Sequence, residues 1–375
     1  MPAALQTFRL CHRCAERQGA GPAFELVPAP ECFVCGGLMD SVEGMGLTAT
    51  KRARRYEFRT FTVGVSVPGG IQEREDELRS ELRLKGSETI KTQAARLIAD
   101  RVAHGLKKRA RRERPDLNLL ADFGAGDVFV NARPVFFYGR YSKPSGVAQK
   151  RAFCEECRGA GCKRCRGTGY ERAPSVEEAL RAKIERFSGS GKMTFTWLGS
   201  EDRESRVYPP GRPFLVEVKN PRRRKFPKRF GARLRSGLVS VTSGRVLPSK
   251  PSRLPAFRFL THIVAVAAAK PSEEALSELR SAFHRAEVRF ERPHSRPAVK
   301  EVYSASAKAR GKTLFIEAEL DGGLPVKRFV NGDLVSPSVS EVLKTEVACR
   351  SFDIRRVRVI GEFSFAEIAR VEEKD

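Results

Sequence analysis

A chain of 375 residues is too long for one ordinary core and suits two or three domains. With 41% hydrophobic residues it can bury real cores, which excludes wholesale disorder. A formal charge of +25 is far outside what an enzyme of small metabolites carries, and it calls for a polyanionic partner, nucleic acid first. No apolar run approaches the roughly 20 residues that span a bilayer. The N-terminal MPAALQTFRLCHRC lacks the charged-then-apolar order of a signal peptide, so a cytoplasmic protein is expected.

Residues 1–45 read as a small metal-held module. CHRC (Cys11, Cys14), about seventeen residues, then CFVC (Cys32, Cys35) has the separation of two zinc knuckles. The segment has too few large apolar residues to fold alone, and four thiolates around one ion would fold it. With all four positions filled by Cys no coordination site stays open, so the metal is structural rather than chemical. Residues 51–140 read as an α/β unit. KRARRYEFRTFTVGVSVP alternates into a strand, and two helices follow. The second runs from Ser87 and carries Ile90, Ala94, Leu97, Ile98 and Val102 on one stripe. The run KKRARRER (107–114) is either a solvated face or an RNA contact. LNLLADF and DVFVNARPVFFYGRY then read as two strands.

CEECRGAG followed directly by CKRCRGTG repeats CxxCxGxG eight residues apart. Its glycines let the backbone turn tightly, so that amides point at thiolate sulfur and Cys154, Cys157, Cys162 and Cys165 can share one ion. Cys349, outside every pair, reads as a small buried side chain. Ser175 and Glu178 form a capping box ahead of LRAKIERF. From about 187 onward strands dominate: KMTFTWLG, RPFLVEV, GLVSVTSG, THIVAVAA, TLFIEAEL and DIRRVRVIGEFSF. One helix, SEEALSELRSAFHRA, interrupts them, with Ser272 as cap and Leu276, Leu279 and Phe283 on its apolar face. An α+β fold on a mixed or antiparallel sheet is expected. No P-loop, dinucleotide fingerprint or HExxH motif is present, and GSGK (189–192) reads as a turn.

Long stretches resemble the archaeal tRNA pseudouridine synthases that modify the neighbouring T-loop uridines 54 and 55. They include the paired N-terminal knuckles, TVGVSVPGGIQEREDELRSEL, ARPVFFYGRYSKPSGVAQKRAFCEECRGAGCKRCRGTGYERAPSVEEAL, GSEDRESRVYPPGRPFLVEVKNPRRR and GGLPVKRFVNGDLVSPSVSEVL. The resemblance implies a zinc-knuckle module (1–45), a THUMP-like α/β RNA-binding domain (50–142), a tandem knuckle linker (143–172) and a pseudouridine synthase catalytic domain (173–375). It implies tRNA, gripped at the T-loop and elbow, as partner of a monomeric enzyme. One or two structural zinc ions and no catalytic cofactor go with it.

By position in the motif Asp202 is the nucleophile, and Lys327 is the cation that favours its ionised form. Arg212 then holds the catalytic loop or an RNA phosphate. Arg222, Arg223, Arg224 and Lys225, in PRRRKFPKRFGARLR, clamp the tRNA backbone. The chain departs from the family pattern at several positions. Ser200 stands where the family has Arg, and Glu204 where it has Asp. His262 replaces a tyrosine that packs against the target base, and Pro325 a second tyrosine. Tyr303 could compensate, and imidazole can stack and accept a proton. The rivals are a tRNA-binding homologue with weak or no catalysis and a zinc-ribbon nucleic-acid protein without the isomerase fold.

Overall fold

The computed structural model describes residues 7–19, 24–84, 87–292 and 295–365. The stretch read for a signal peptide begins with residues 1–6, which lie outside the described residues, as do residues 293 and 294. The chain divides into two units, Met1–Pro134 with Lys219–Arg224, and Val135–Val218 with Lys225–Asp375.

In the first unit, Thr89 accepts a hydrogen bond from the Thr92 amide and so opens the helix Ile90–Leu106. The expected stripe turns inward, with Ile90, Ala94, Ile98 and Val102 fully buried. It packs on a four-stranded sheet in the order Arg109–Ala110, Thr60–Ser66, Leu117–Asp122, Asp127–Ala132. Its last pair is antiparallel and the others are parallel. The helix Leu38–Ala53 runs straight through the boundary expected near residue 45. Met39, Val42, Met45 and Ala49 lie on one face, so the cysteine module and the α/β layer share a continuous core. Arg17 adds a polar tie, donating to Glu75 at 3.1 Å and to Gln93 at 2.8 Å.

Segment 219–224 belongs to this unit although it follows Val218 of the second. Asn220 Oδ1 accepts from the Ala132 amide at 2.8 Å, and the Arg222 carbonyl accepts from the Glu57 amide at 2.7 Å. Arg224 donates to the Arg133 carbonyl at 2.8 Å and lies 4.0 Å from Asp116. The sequence reading made Arg224 part of a tRNA clamp. In the structure its guanidinium is engaged within the first unit.

The second unit is built on an eleven-stranded sheet. Ten strands run in the order Phe230–Leu234, Gly237–Leu247, Val135–Lys143, Val207–Val218, Val347–Ile360, Ala256–Ala267, Thr313–Asp321, Ser295–Arg310, Ala286–Arg292, Val335–Ser336. The eleventh, Met193–Trp197, also pairs with Val207–Val218. All pairs are antiparallel except Val207–Val218 with Val347–Ile360, which join in parallel register at Ile354 opposite Val207. The strand Val135–Lys143, expected as the end of the α/β unit, belongs to this sheet because both its edges are paired here. Helix Val176–Ser188 is capped by Ser175, which accepts from the Glu178 amide at 3.2 Å. Helix Glu273–Ala282 buries Leu276 and Leu279, with Phe283 at its end. The sequence reading missed Phe230–Leu234, the long hairpin of Ala286–Arg292 and Ser295–Arg310, and the short helices Val326–Asn331 and Val339–Val342.

Asp116 is the polar centre of the first unit. It accepts from the Arg59 amide at 2.9 Å and pairs with Arg133 at 2.6 Å. Burial would raise its carboxyl, but the Arg59 amide, Arg224, the Thr60 amide and Arg133 together hold it below the ordinary value. A depressed carboxylate contributes stability above the unfolded pKa and loses it as pH falls through the folded one. Asp116→Asn is therefore expected to cost about 2 kcal/mol at pH 7 in denaturant unfolding. The gap from wild type narrows below about pH 4.

Candidate active site

The loop between Met193–Trp197 and Val207–Val218 carries Asp202, and buried groups of the second unit hold its backbone from beneath. Arg212, 2% exposed, donates to the Ser200 carbonyl at 2.8 Å and the Leu198 carbonyl at 3.0 Å. It also pairs with Glu201 at 3.2 Å. Gly199, at φ +86°, makes this approach possible, since a Cβ there would stand 2.0 Å from Arg212 Nη2. Glu201 accepts from the Tyr141 hydroxyl at 2.6 Å and from Gln149 at 2.9 Å. Burial raises the Glu201 carboxyl, against the pull of Arg212, Tyr141 and Lys143.

Lys143 completes the cradle. Its buried ammonium donates to the carbonyls of Asp202 at 3.0 Å, Arg203 at 3.2 Å, and Ser205. Burial lowers the Lys143 pKa, while Glu201, Glu204, Asp202 and Asp353 pull the other way. The Arg206 amide, at the loop's far end, donates to Asp353 Oδ1 at 2.9 Å. The sequence reading missed Lys143, Tyr141 and Gln149. Their signal was present only as polar residues in a strand and loop that were otherwise read for pattern.

Lys327 arrives from the short helix Val326–Asn331. Val326, Phe329 and Val330 face inward at helical spacing, and Phe329 packs edge-on to Phe283 at 4.9 Å. Lys327 is thereby left on the flank, its Nζ 2.8 Å from Asp202 Oδ2, with both side chains part-exposed. The hydrogen bond to Asp202 raises the Lys327 pKa. Cys349, partly buried and packed against the main core, lies beside this pair. Burial pushes its thiol up to about 11, against the pull of Lys327 and with the help of Asp202.

The structure thus brings Asp202 and Lys327 together and seals Arg212 beneath them. A guanidinium so enclosed has no face for an RNA phosphate, so that alternative of the sequence reading is corrected, and Arg212 is a residue that holds the loop. His262 lines a groove of about 720 Å³ on the sheet's open face, with Glu204 and Arg206 of the loop at one side. Its Nε2 is 2.7 Å from Glu317 Oε2. Tyr303 stands elsewhere. Its hydroxyl donates to Asp321 at 3.0 Å and Arg258 covers its ring at 5.0 Å. Burial and Asp321 raise the Tyr303 pKa to about 12. Arg222, Arg223 and Lys225 are exposed.

Both cysteine quartets could hold a metal ion. Cys11 and Cys35 sulfurs are 3.7 Å apart, as are Cys157 and Cys165; Cys154–Cys162 and Cys162–Cys165 are 3.8 Å apart. A tetrahedron with about 2.3 Å zinc–sulfur bonds has edges of about 3.8 Å, so the donor set fits zinc. The Gly161 and Gly169 amides reach the Cys157 and Cys165 sulfurs, each at 3.2 Å. Among the described residues no helix is long and apolar enough to cross a membrane.

Two family models match the chain: one described as the Pus10 THUMP domain, archaeal, over 47–122, and one described as Pus10, C-terminal, over 136–246. The tRNA pseudouridine synthase Pus10 of Cenarchaeum symbiosum is 32% identical over 341 residues, covering 88% of this chain and 81% of that protein. The tRNA pseudouridine synthase Pus10 of Pyrococcus furiosus is 27% identical, covering 94% and 96%. A chain of the archaeal box H/ACA sRNP Nop10-Cbf5 complex covers 59% of this chain at 11% identity and a TM-score of 0.30, too slight a likeness to carry an argument.

If the cradle fixes the loop, Lys143→Met will loosen it without unfolding the sheet. Hydrogen exchange read by mass spectrometry should speed up about tenfold or more at residues 198–206. Exchange in Ala256–Ala267 should stay as in the wild type.

Proposed function

The chain belongs to the tRNA pseudouridine synthase Pus10 family, and from that premise we propose that it isomerises T-loop uridine 54, uridine 55 or both, with Asp202 as nucleophile. Converting uridine to pseudouridine breaks the C1′–N1 bond, makes a C1′–C5 bond and moves one proton from C5 to N1. Atoms balance without oxidant or reductant, so Asp202 can open the bond while the freed base turns in the adjoining groove. Lys327 sets a cation 2.8 Å from the carboxylate, and His262, at the position of the family's tyrosine, stacks on the base and can receive the C5 proton.

The observation that carries this reading is the 2.8 Å contact of Asp202 with Lys327 on a loop held by buried donors. Two departures from the family pattern are accommodated. Ser200 serves Arg212 through its carbonyl, whatever its side chain, and Pro325 starts the Lys327 helix, where a missing N–H costs nothing. His262 is the departure that faces the groove, and it keeps the tRNA-binding homologue in play. Arg222, Arg223 and Lys225 are assigned to the tRNA backbone. Each cysteine quartet is assigned one structural zinc, outside the chemistry. A monomer acting in the cytoplasm on the T-loop and elbow of tRNA completes the proposal, with the THUMP-like layer of the first unit as the RNA-binding part and the second unit, which begins at Val135, as the catalytic part.

Incubation with unmodified tRNA transcript, followed by mapping of pseudouridine, tests the chemistry. The wild type should convert 54, 55 or both, and Asp202→Asn should be slower by roughly 10³-fold or more with tRNA affinity retained. Binding without product by the wild type would leave the binding-homologue reading. Equal product from the Asn variant would remove Asp202 as nucleophile.

The metal assignment has its own readout. Two zinc per chain are expected by elemental analysis, falling to one in a Cys157→Ser/Cys162→Ser variant. Stripping zinc with a strong chelator should unfold the cysteine modules first, read by protease cleavage within 11–35 and 154–165.

A further inference from the structure

The second knuckle carries an aromatic arrangement that metal binding does not require. Phe153 and Tyr170 face each other across its neck as a bridge pair, flanked by the Cys154 amide on the Gly169 carbonyl and the Glu171 amide on the Ala152 carbonyl, both at 2.9 Å. Their rings stack with centroids 5.2 Å apart and 19° between planes. The Arg151 guanidinium lies 3.8 Å from the Tyr170 centroid and is itself held by Glu177 at 3.5 Å. Tyr170 is half-buried in this series, whereas Phe153 is 63% exposed. Gly159 abuts the Phe153 ring so closely that a Cβ would come within 3.1 Å of it. The ring is therefore exposed and fixed at once.

An isolated exposed phenylalanine is ordinary on a protein surface. This one is pre-stacked, backed by a cation, and set among further cations. Arg164 is engaged with Glu155 at 3.5 Å and Glu171 at 3.8 Å. Arg158, Lys163, Arg166 and Arg172 are exposed, and the described ion pairs do not include them. Arg158 and Arg166 occupy equivalent places in the two CxxCxGxG repeats and share a left-handed backbone, at φ 47° and 54°. An exposed aromatic ring on a knuckle that also carries exposed cations matches an unpaired nucleobase with its flanking phosphates: the ring supplies sequence-tolerant stacking, and the cations supply phosphate contacts.

We propose that the second knuckle is an RNA platform on which an unpaired base of the tRNA stacks upon Phe153, with Arg158 and Arg166 on the adjoining phosphates. The platform rests on tRNA being the substrate, and it adds a grip within 151–172 that metal holding alone does not explain.

Full-length Phe153→Ala, Phe153→Trp and Arg158→Ala/Arg166→Ala are to be compared with wild type for Kd on unmodified tRNA across salt, and for kcat and KM. Zinc content and melting temperature serve as the fold control. Phe153→Ala should raise Kd and KM about tenfold, with the effect on KM rather than kcat, and Phe153→Trp should restore wild-type affinity. The double arginine variant should weaken binding and reduce the salt slope by about 2. A Kd for Phe153→Ala within twofold of wild type, at unchanged zinc content, overturns the platform. If the wild type binds tRNA but forms no pseudouridine, the isomerase reading fails, and the ratio of Kd values still decides the platform.

Discussion

Everything at the candidate site depends on the carbonyls of residues 198–205 being claimed by buried donors. A nucleophile has to be exposed enough to meet its substrate, and an exposed loop is ordinarily the most mobile part of a fold. Here Arg212 takes the carbonyls of 198 and 200, and Lys143 takes those of 202, 203 and 205. Two buried cations would be costly alone. Glu201 pairs with Arg212 through the oxygen that also accepts from Gln149, its other oxygen accepts from Tyr141, and Lys143 is hydrogen-bonded to three carbonyls. The result is a rigid underside with Asp202 on top, facing Lys327 from a separate helix. The geometry of that pair then follows from packing, through Phe329 against Phe283, rather than from the loop itself.

The same economy recurs where the chain is poor in large apolar residues. The second knuckle replaces a core with four sulfurs and with glycine backbones that touch. A Cβ on Gly169 would come within 2.4 Å of the Gly159 carbonyl, and one on Gly161 within 2.9 Å of the Gly167 carbonyl. Repeat faces repeat, which is why the CxGxG spacing tolerates so little else. In the first module the cysteines are aided by a shared core, since Leu38–Ala53 carries its buried face from the knuckle into the α/β layer.

The net charge of +25 is thus divided among different tasks. Arg17, Lys143, Arg212 and Arg224 are turned inward and hold backbone or carboxylates in place. Arg158, Lys163, Arg166 and Arg172 on the knuckle, and most of the basic run 107–114, stay at the surface. Cations of the second kind, Arg222, Arg223 and Lys225 among them, are the ones a polyanion can reach, and charge counting cannot separate the two kinds.

The sequence by itself determined the periodic and the covalent. The stripe of Ile90–Leu106, the Ser175 and Ser272 caps, the strands Met193–Trp197, Val207–Val218, Gly237–Leu247, Ala256–Ala267, Thr313–Asp321 and Val347–Ile360, and both cysteine quartets were legible because local periodicity and ligand spacing carry them. Asp202 and Lys327 were legible only as members of a motif, 125 positions apart, and the fold decided that they lie 2.8 Å apart. Tertiary structure alone assigned Val135–Lys143 to the large sheet and 219–224 to the first unit, since strand pairing and docking are long-range choices. It also separated a cradle arginine from a surface one and set Cys349, packed against the core, beside the Asp202–Lys327 pair, because burial depends on neighbours distant in sequence. Tyr303 and His262 are parted by the strands that carry them, Ser295–Arg310 and Ala256–Ala267: one is tied to Asp321, and the other lines the groove beside the loop.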